Sequence, residues 1–275
     1  MIYEFAMDNN ISLQRTIIMN LVFASGFLFP QSLLGIDYFR GLSGHIVQAG
    51  MPAPLFPKVP PIGGFETRAQ ALADAIRQAY PVGPIHIIAH SMGGLDSRTL
   101  IGRNHHGLSD PGRIASLTTV ATPHRGSPVA DLLAGPGPDD ARRRLQDRIK
   151  GALGRLGIDV AALGDLTAEG ASRVPDVTQT HPHIRYHSFF ASGRQHLLLP
   201  ATCALLLPTH EYIRAATGQD NDGLVTLDSA RYGEFQEPFW HGDHIDICGH
   251  NLDTADLGLF QFDHFAAYDA IISGL

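Results

Sequence analysis

The sequence predicts an α/β fold, with a mostly parallel central sheet and helices on both faces. Three observations carry this. A nearly continuous apolar run at 16–24 and a second one at 84–89 have the pattern of strands buried on both sides, and 114–121 reads as a third strand. Helical stretches at 65–80 and 95–103 alternate with them. The 275 residues are 44% hydrophobic and 17% charged, a globular composition with ample material for a core.

Taken in order, the first run ends at Ser25-Gly26, and 36–49 reads as a helix closed by Gly50. From 65 to 80, apolar residues at 69, 72, 73, 76 and 80 oppose charges at 66, 68, 74 and 77, an amphipathic helix. After Asp131 the regularity stops. Gly135-Pro-Gly-Pro138 breaks the chain, and a basic amphipathic segment follows at 139–156, with apolar residues at 145, 149, 152, 153 and 156. The strand pattern returns at 184–191, and a last helix is expected at 257–272. The expectation is a single domain over 1–275 with an insertion at about 132–175 lying over the sheet. Within it, 139–156 reads as a mobile lid hinged at the Gly-Pro repeat.

The formal net charge of −7 argues against nucleic acid as a partner. Cys203 and Cys248 lack C-x-x-C spacing, so a thiolate metal site is not expected; they read as one disulfide or as two buried thiols. The 15 histidines show no H-E-x-x-H spacing. His124 reads as a brace of the turn after the third strand, His105 and His106 as solvated charges at a helix end, and Trp240 as a packing residue. Residues 1–10 carry two acids and no base, unlike a secretory leader, and the apolar stretch at 16–29 is too short and interrupted to span a bilayer. The expectation is a soluble chain without a transmembrane segment, cytoplasmic or exported without a cleaved leader.

The informative segment is Ile87-Ile-Ala-His-Ser-Met-Gly-Gly94. A buried strand enters a small-x-Ser-x-Gly turn and a helix leaves it, the context of a nucleophile elbow. Ala89 and Gly93 supply the small residues that so tight a turn needs. Ser91 becomes the candidate nucleophile, and the backbone N–H of Met92 a candidate donor to an oxyanion. Such a serine needs a base and an orienting acid further along the chain. The pattern leaves Asp220, Asp222 and Asp228 as rival acids. It leaves His244, His241 and His250 as rival bases.

Six segments in order resemble the true bacterial lipases, the Pseudomonas, Burkholderia and Proteus type of triacylglycerol lipase within the α/β-hydrolase superfamily. They are Gly26-Phe27, Asp37-Tyr-Phe-Arg-Gly41, Ala89-His-Ser-Met-Gly-Gly94, Ala121-Thr-Pro-His-Arg-Gly-Ser-Pro-Val-Ala-Asp131, Asn221-Asp-Gly-Leu-Val225 and Asp243-His-Ile-Asp246. The resemblance spans about residues 17 to 255. It implies an α/β-hydrolase fold and a triad of Ser91, Asp222 and His244, with oxyanion donors at Phe27 and Met92. The implied activity is hydrolysis of lipid esters through an acyl-enzyme, possible at a lipid–water interface and needing no cofactor for the chemistry. It also implies a structural calcium at Asp246, with His250 and Thr254 where carbonyl ligands would fall. The second acid of that calcium site has no counterpart, since 197–208 contains no acid. Ser25 stands where the family has His, and the family's disulfide positions do not match Cys203 and Cys248. The alternatives are an inactive α/β-hydrolase-fold binding protein, and an acyltransferase or thioesterase using the same triad.

Overall fold

A computed structural model describes residues 19–26, 37–60, 63–136, 139–155, 160–193, 205–250 and 262–275. Its strands are β1 (Asn20–Ala24), β2 (Ile85–His90), β3 (Ile114–Val120), β4 (Arg185–Phe189), β5 (Ala191–Ser192), β6 (Glu234–Phe235) and β7 (Trp240–His241). The main sheet is parallel, in the order β1-β2-β3-β4-β6, and β5 pairs with β7 beside it.

Side chains that alternate along each strand feed two separate cores, as the strand period of two requires. Leu21, Phe23, Ile88 and Val120 pack with Ile46 of α1 (Leu42–Gln48) and with Tyr268 and Ile271 of α9 (His264–Ser273). Val22, Ala24, Ile87 and Leu117 pack on the opposite face. Their partners are Leu72 and Ile76 of α2 (Phe65–Ala79) and Leu100 of α3 (Met92–Arg103). This is the expected α/β-hydrolase architecture, with helices on both faces.

Three boundaries differ from expectation. The helix expected at 36–49 begins only at Leu42, because Gly41 takes a left-handed conformation with φ 69° that a helix cannot continue through. Conversely, α3 begins three residues before the expected 95, since the turn at Ser91 feeds it directly. The last helix begins at His264, where the Asp263 carboxylate caps the Ala266 N–H; residues 251–261 lie outside the described ones. Among the described residues, no helix is long and apolar enough to cross a membrane.

Between β3 and β4 lie α4 (Pro128–Ala134), α5 (Asp140–Arg155), a 3-10 segment (Val160–Leu166) and α6 (Ala168–Ser172), while α7 (Leu207–Thr217) and α8 (Leu227–Ala230) come between β5 and β6. The basic amphipathic segment is helical, as its period predicts; Leu156 lies outside the described residues. Its inner stripe holds Ile149 and Leu153, both fully buried, with Gln146 among them. The Gln146 amide donates to the Leu132 and Gly135 carbonyls at 2.8 and 2.9 Å, which clamps α5 onto the end of α4. Each such bond contributes on the order of 0.5–1.5 kcal/mol. Gln146→Ala is therefore expected to loosen α5 alone: amide exchange across residues 140–155 should rise severalfold while β2 and β3 stay protected. Unchanged exchange in α5 would show that its apolar stripe suffices to hold it.

Candidate active site

Ser91 stands between β2 and α3 with φ 56° and ψ −133°, a conformation that non-glycine residues rarely adopt. Its neighbours hold it there. The Ser91 N–H donates to the Val120 carbonyl at 3.0 Å, and the Thr122 hydroxyl donates to the Ser91 carbonyl at 2.8 Å. Gly93 presses on the end of β1, where a Cβ would come within 2.9 Å of the Ser25 carbonyl oxygen and closer still to that of Ala24. A Cβ on Gly26 would lie 2.6 Å from that of Ser91, so the backbone after β1 runs directly against the serine. Met92 supplies the first N–H of α3, a group with no intrahelical acceptor. Phe27 lies outside the described residues.

The Ser91 hydroxyl lies 2.9 Å from His244 Nε2, and His244 Nδ1 lies 2.7 Å from Asp222 Oδ2. All three side chains are buried, with residue exposures of 5, 1 and 0% in the order Ser91, His244, Asp222. The other Asp222 oxygen accepts the N–H groups of Leu224 and Val225 at 2.9 and 2.7 Å. The carboxylate is thus aimed from two sides. Of the rivals, Asp220 is half-buried, while Asp228 and His241 are exposed. His250 turns its Nε2 to the Asp37 and Tyr38 carbonyls, at 2.9 and 3.0 Å.

The His244 loop is tied by two acids. Asp243 Oδ1 accepts the N–H groups of Ile245 and Asp246, and Asp246 Oδ2 accepts the Asp243 N–H in return. This is the reciprocal logic of a capping box. Calcium takes six to eight oxygen ligands. Here both carboxylates are engaged with backbone, Thr254 lies outside the described residues, and no three His, Cys, Asp or Glu among the described residues group for a metal.

Two buried clusters escape a reading by motif. Behind His244, the ring of His90 lies 4.6 Å away, centroid to centroid. His90 Nδ1 meets the Tyr38 hydroxyl at 2.8 Å and Cys248 Sγ at 3.2 Å. Burial, reinforced by His244, holds His90 well below the ordinary histidine range, so it stays neutral beside the base. Cys248 is a free, buried thiol, and burial raises it well above the usual thiol range; Cys203 lies outside the described residues.

The second cluster supports the loop after β1. Arg68 was expected on the polar face of α2, but it is 1% exposed. It pairs with the equally buried Asp96 of α3 at 2.8 Å. It also donates to the carbonyls of Pro60, Ser25 and Gly26, at 2.6, 3.2 and 3.4 Å. One guanidinium therefore ties the serine's helix to the backbone that runs against the serine. Its spacing held a signal, because position 68 precedes the buried 72 and 76 by one and two helical turns. Burial pushes the Asp96 carboxyl up to about 6, against the pull of Arg68.

His124 braces its turn as expected. It lies between Arg98 and the Thr119 hydroxyl, at 3.1 and 3.0 Å, and stacks on Tyr232. His106 pairs with Asp74 and His105 faces Glu66, rather than standing as simple solvated charges. Trp240 packs on Phe189.

An apolar pocket opens beside Ser91 and His244, with about 350 Å³ of empty volume, part of it open to solvent. Val129 and Ala130 of α4 and Val225 form one part of its wall, and Leu153 of α5 with Leu163 and Leu166 another. Among its lining residues only Ser91, Ser127 and His244 bear polar side chains.

Residues 53–208 match the family described as the α/β-hydrolase fold. Triacylglycerol lipase 2 of Saccharomyces cerevisiae is 30% identical over 224 residues, covering 78% of this chain and 63% of the yeast protein; the chain thus spans under two-thirds of that relative. A triacylglycerol lipase of Vibrio cholerae is 24% identical over 280 residues, covering 90% of this chain and 84% of its own. Among solved structures, a metagenomic carboxyl esterase superposes with TM-score 0.70 at 20% identity, covering 94% of this chain and 75% of its own. The mature lipase BlEst2 of Bacillus licheniformis superposes with TM-score 0.62 at 21% identity, covering 85% and 88%. At such identities the two structures show the shared fold.

Two outcomes test the Arg68–Asp96 pair. Removing one partner of a buried ion pair costs about 3–5 kcal/mol. Arg68→Met is therefore expected to lower the urea midpoint sharply, and Arg68→Met/Asp96→Leu to recover much of the loss. Asp96 binds its proton more tightly in the folded chain than in the unfolded one, where its pKa is near 3.8. This group alone thus makes stability fall as pH rises from about 4 to about 6, at most by roughly 1.4 kcal/mol per pH unit. Asp96→Asn should flatten that slope in urea melts, and an unaltered slope would place the titration elsewhere.

Proposed function

This chain belongs to the α/β-hydrolase fold family, and on that premise we propose that it is a serine hydrolase of lipid carboxylic esters, of the triacylglycerol lipase and carboxylesterase kind. The observation that carries the reading is the unbroken line of Ser91 hydroxyl, His244 imidazole and Asp222 carboxylate beside an apolar pocket. The finer affiliation, with the true bacterial lipases, is supported by the six motifs in order.

The reaction follows from the line of contacts. Ser91 Oγ attacks the ester carbonyl as His244 Nε2 takes its proton. Asp222 accepts from Nδ1–H, which fixes the tautomer and stabilises the imidazolium as it forms. The Met92 N–H meets the oxyanion; a second donor, the Phe27 N–H, rests on the resemblance. Each such donor is worth on the order of 10²–10³ in kcat. Collapse expels the alcohol, which takes the proton from His244. Water, deprotonated by His244, then releases the acid from Ser91. The neutral His90 beside the base adds no competing charge to the imidazolium. No step needs a cofactor or the calcium suggested at Asp246, His250 and Thr254. The uncharged pocket suits an aliphatic acyl chain.

A p-nitrophenyl ester series and a fluorophosphonate probe test the reading. Wild type should hydrolyse the esters and be labelled at Ser91. Ser91→Ala and His244→Ala should each lose essentially all turnover, because the triad acts as a unit. Asp222→Ala should be severe but smaller, and Asp220→Ala and His241→Ala should stay within a fewfold of wild type. A dominant loss at Asp220 or His241 would overturn the assignment. A folded wild type inactive on every ester would favour a binding protein, and transfer to an added alcohol in preference to water would favour an acyltransferase.

Leu153 stands in the pocket wall, so Leu153→Ala should move preference toward longer acyl chains. Each additional methylene accommodated is worth about 0.8 kcal/mol, roughly fourfold in kcat/KM. A long-to-short ratio equal to that of wild type would place the acyl chain elsewhere.

A further inference from the structure

We propose that the outward face of α5 is an electrostatic docking surface for an anionic lipid assembly, one that seats a helix of the pocket wall against the lipid. The inference rests on the lipid-ester reading for its choice of occupant, while the surface itself needs no catalysis.

The observations are the helix's two faces. Its inner stripe is packed, and Leu153 on that stripe lines the pocket that holds Ser91. Its outer side exposes Arg143, Arg144, Arg148, Lys150 and Arg155, with the acid Asp147 exposed among them. At 100° per residue, Arg144, Arg148 and Arg155 fall within about 40° of one another, a single ridge of guanidinium groups. Residues 139–155 carry six cations against three acids, in a chain whose formal charge is −7. Two of those acids are occupied at the start of the helix: Asp139 accepts the Arg142 N–H, and Asp140 pairs with Arg143. There they suit the helix dipole.

The sign of this patch opposes that of the molecule. An anionic surface repels the chain as a whole and attracts this face, so the field orients the approach as well as favouring it. The placement argues for lipid over other polyanions. The cationic ridge lies on the back of a helix whose inner stripe lines the pocket, so docking through it brings the site near to where a lipid ester resides. The apolar stripe need not turn outward for this contact.

The test uses the full chain carrying Ser91→Ala, so that no vesicle lipid is consumed, sedimented with phosphatidylcholine vesicles with and without phosphatidylglycerol. Binding should require phosphatidylglycerol and weaken as salt rises. Each basic residue near such a surface contributes roughly fivefold to partition, so Arg144→Gln/Arg148→Gln/Lys150→Gln/Arg155→Gln should lower it at least about tenfold. Arg173→Gln/Arg214→Gln, which removes exposed charge elsewhere, should leave it nearly unchanged. With Ser91 restored, the quadruple variant should hydrolyse a short soluble p-nitrophenyl ester at the wild-type rate, which shows that the fold is intact. Equal binding to phosphatidylcholine alone, or undiminished binding by the quadruple variant, would overturn the proposal. So would a mixed-sequence oligonucleotide that displaces the protein from vesicles at equal phosphate. Should the unmodified chain hydrolyse no ester while phosphatidylglycerol-dependent binding persists, the catalytic reading fails and the docking surface stands.

Discussion

The upper edge of the sheet is organised by one close approach, that of the start of α3 to the end of β1. Gly93 lets two backbones meet at a distance no side chain would permit. Because they meet, the chain must reverse at Ser91 in a left-handed conformation that costs on the order of 1–3 kcal/mol. That cost is offset where the end of β3 holds the Ser91 N–H and Thr122, just beyond that strand, holds its carbonyl. The hydroxyl then projects above β2, within reach of a base that comes from a distant loop. Remove the close approach, and the serine has no reason to stand where His244 can meet it.

Around this point the molecule keeps ionisable groups out of water and sorts them by partner. Asp222 remains aimed because two backbone N–H groups and an imidazole share its oxygens. Arg68 is buried with Asp96, and its remaining donors serve carbonyls of the loop beside the serine. Ser25, where the resembled family has His, is thus in a loop with another support. His90 stays neutral because burial, reinforced by His244 beside it, disfavours its charged form. Buried polar groups of this kind are costly when half satisfied, so they fix one arrangement of the site rather than several.

What was legible in the sequence follows from how local each cause is. The strands declared themselves because residues 21–24, 85–90 and 114–120 are rich in aliphatic and β-branched side chains, as strands covered on both faces are. Ser91 was legible because its turn is built from adjacent residues. The choice of Asp222 over Asp220 and Asp228 came only from a resemblance, since nothing within the turn says which carboxylate will meet a histidine 22 residues on. Arg68 was misread as a surface charge because its partner lies on another helix. The contact between His90 and Cys248 spans 158 residues and leaves no pattern at all. The late start of the expected first helix was local after all: Gly41 announces it, outweighed in the reading by the apolar residues on either side.

The pocket wall has two origins. The groups placed for bond making stand at strand ends or on turns tied to them, while Leu153, Leu163 and Leu166 come from the excursion between β3 and β4. Reactivity and selectivity are therefore encoded in different stretches of chain, and mutation can explore one without disturbing the other. A lineage could exchange that excursion wholesale, acquiring a new diet while its reactive centre is inherited intact.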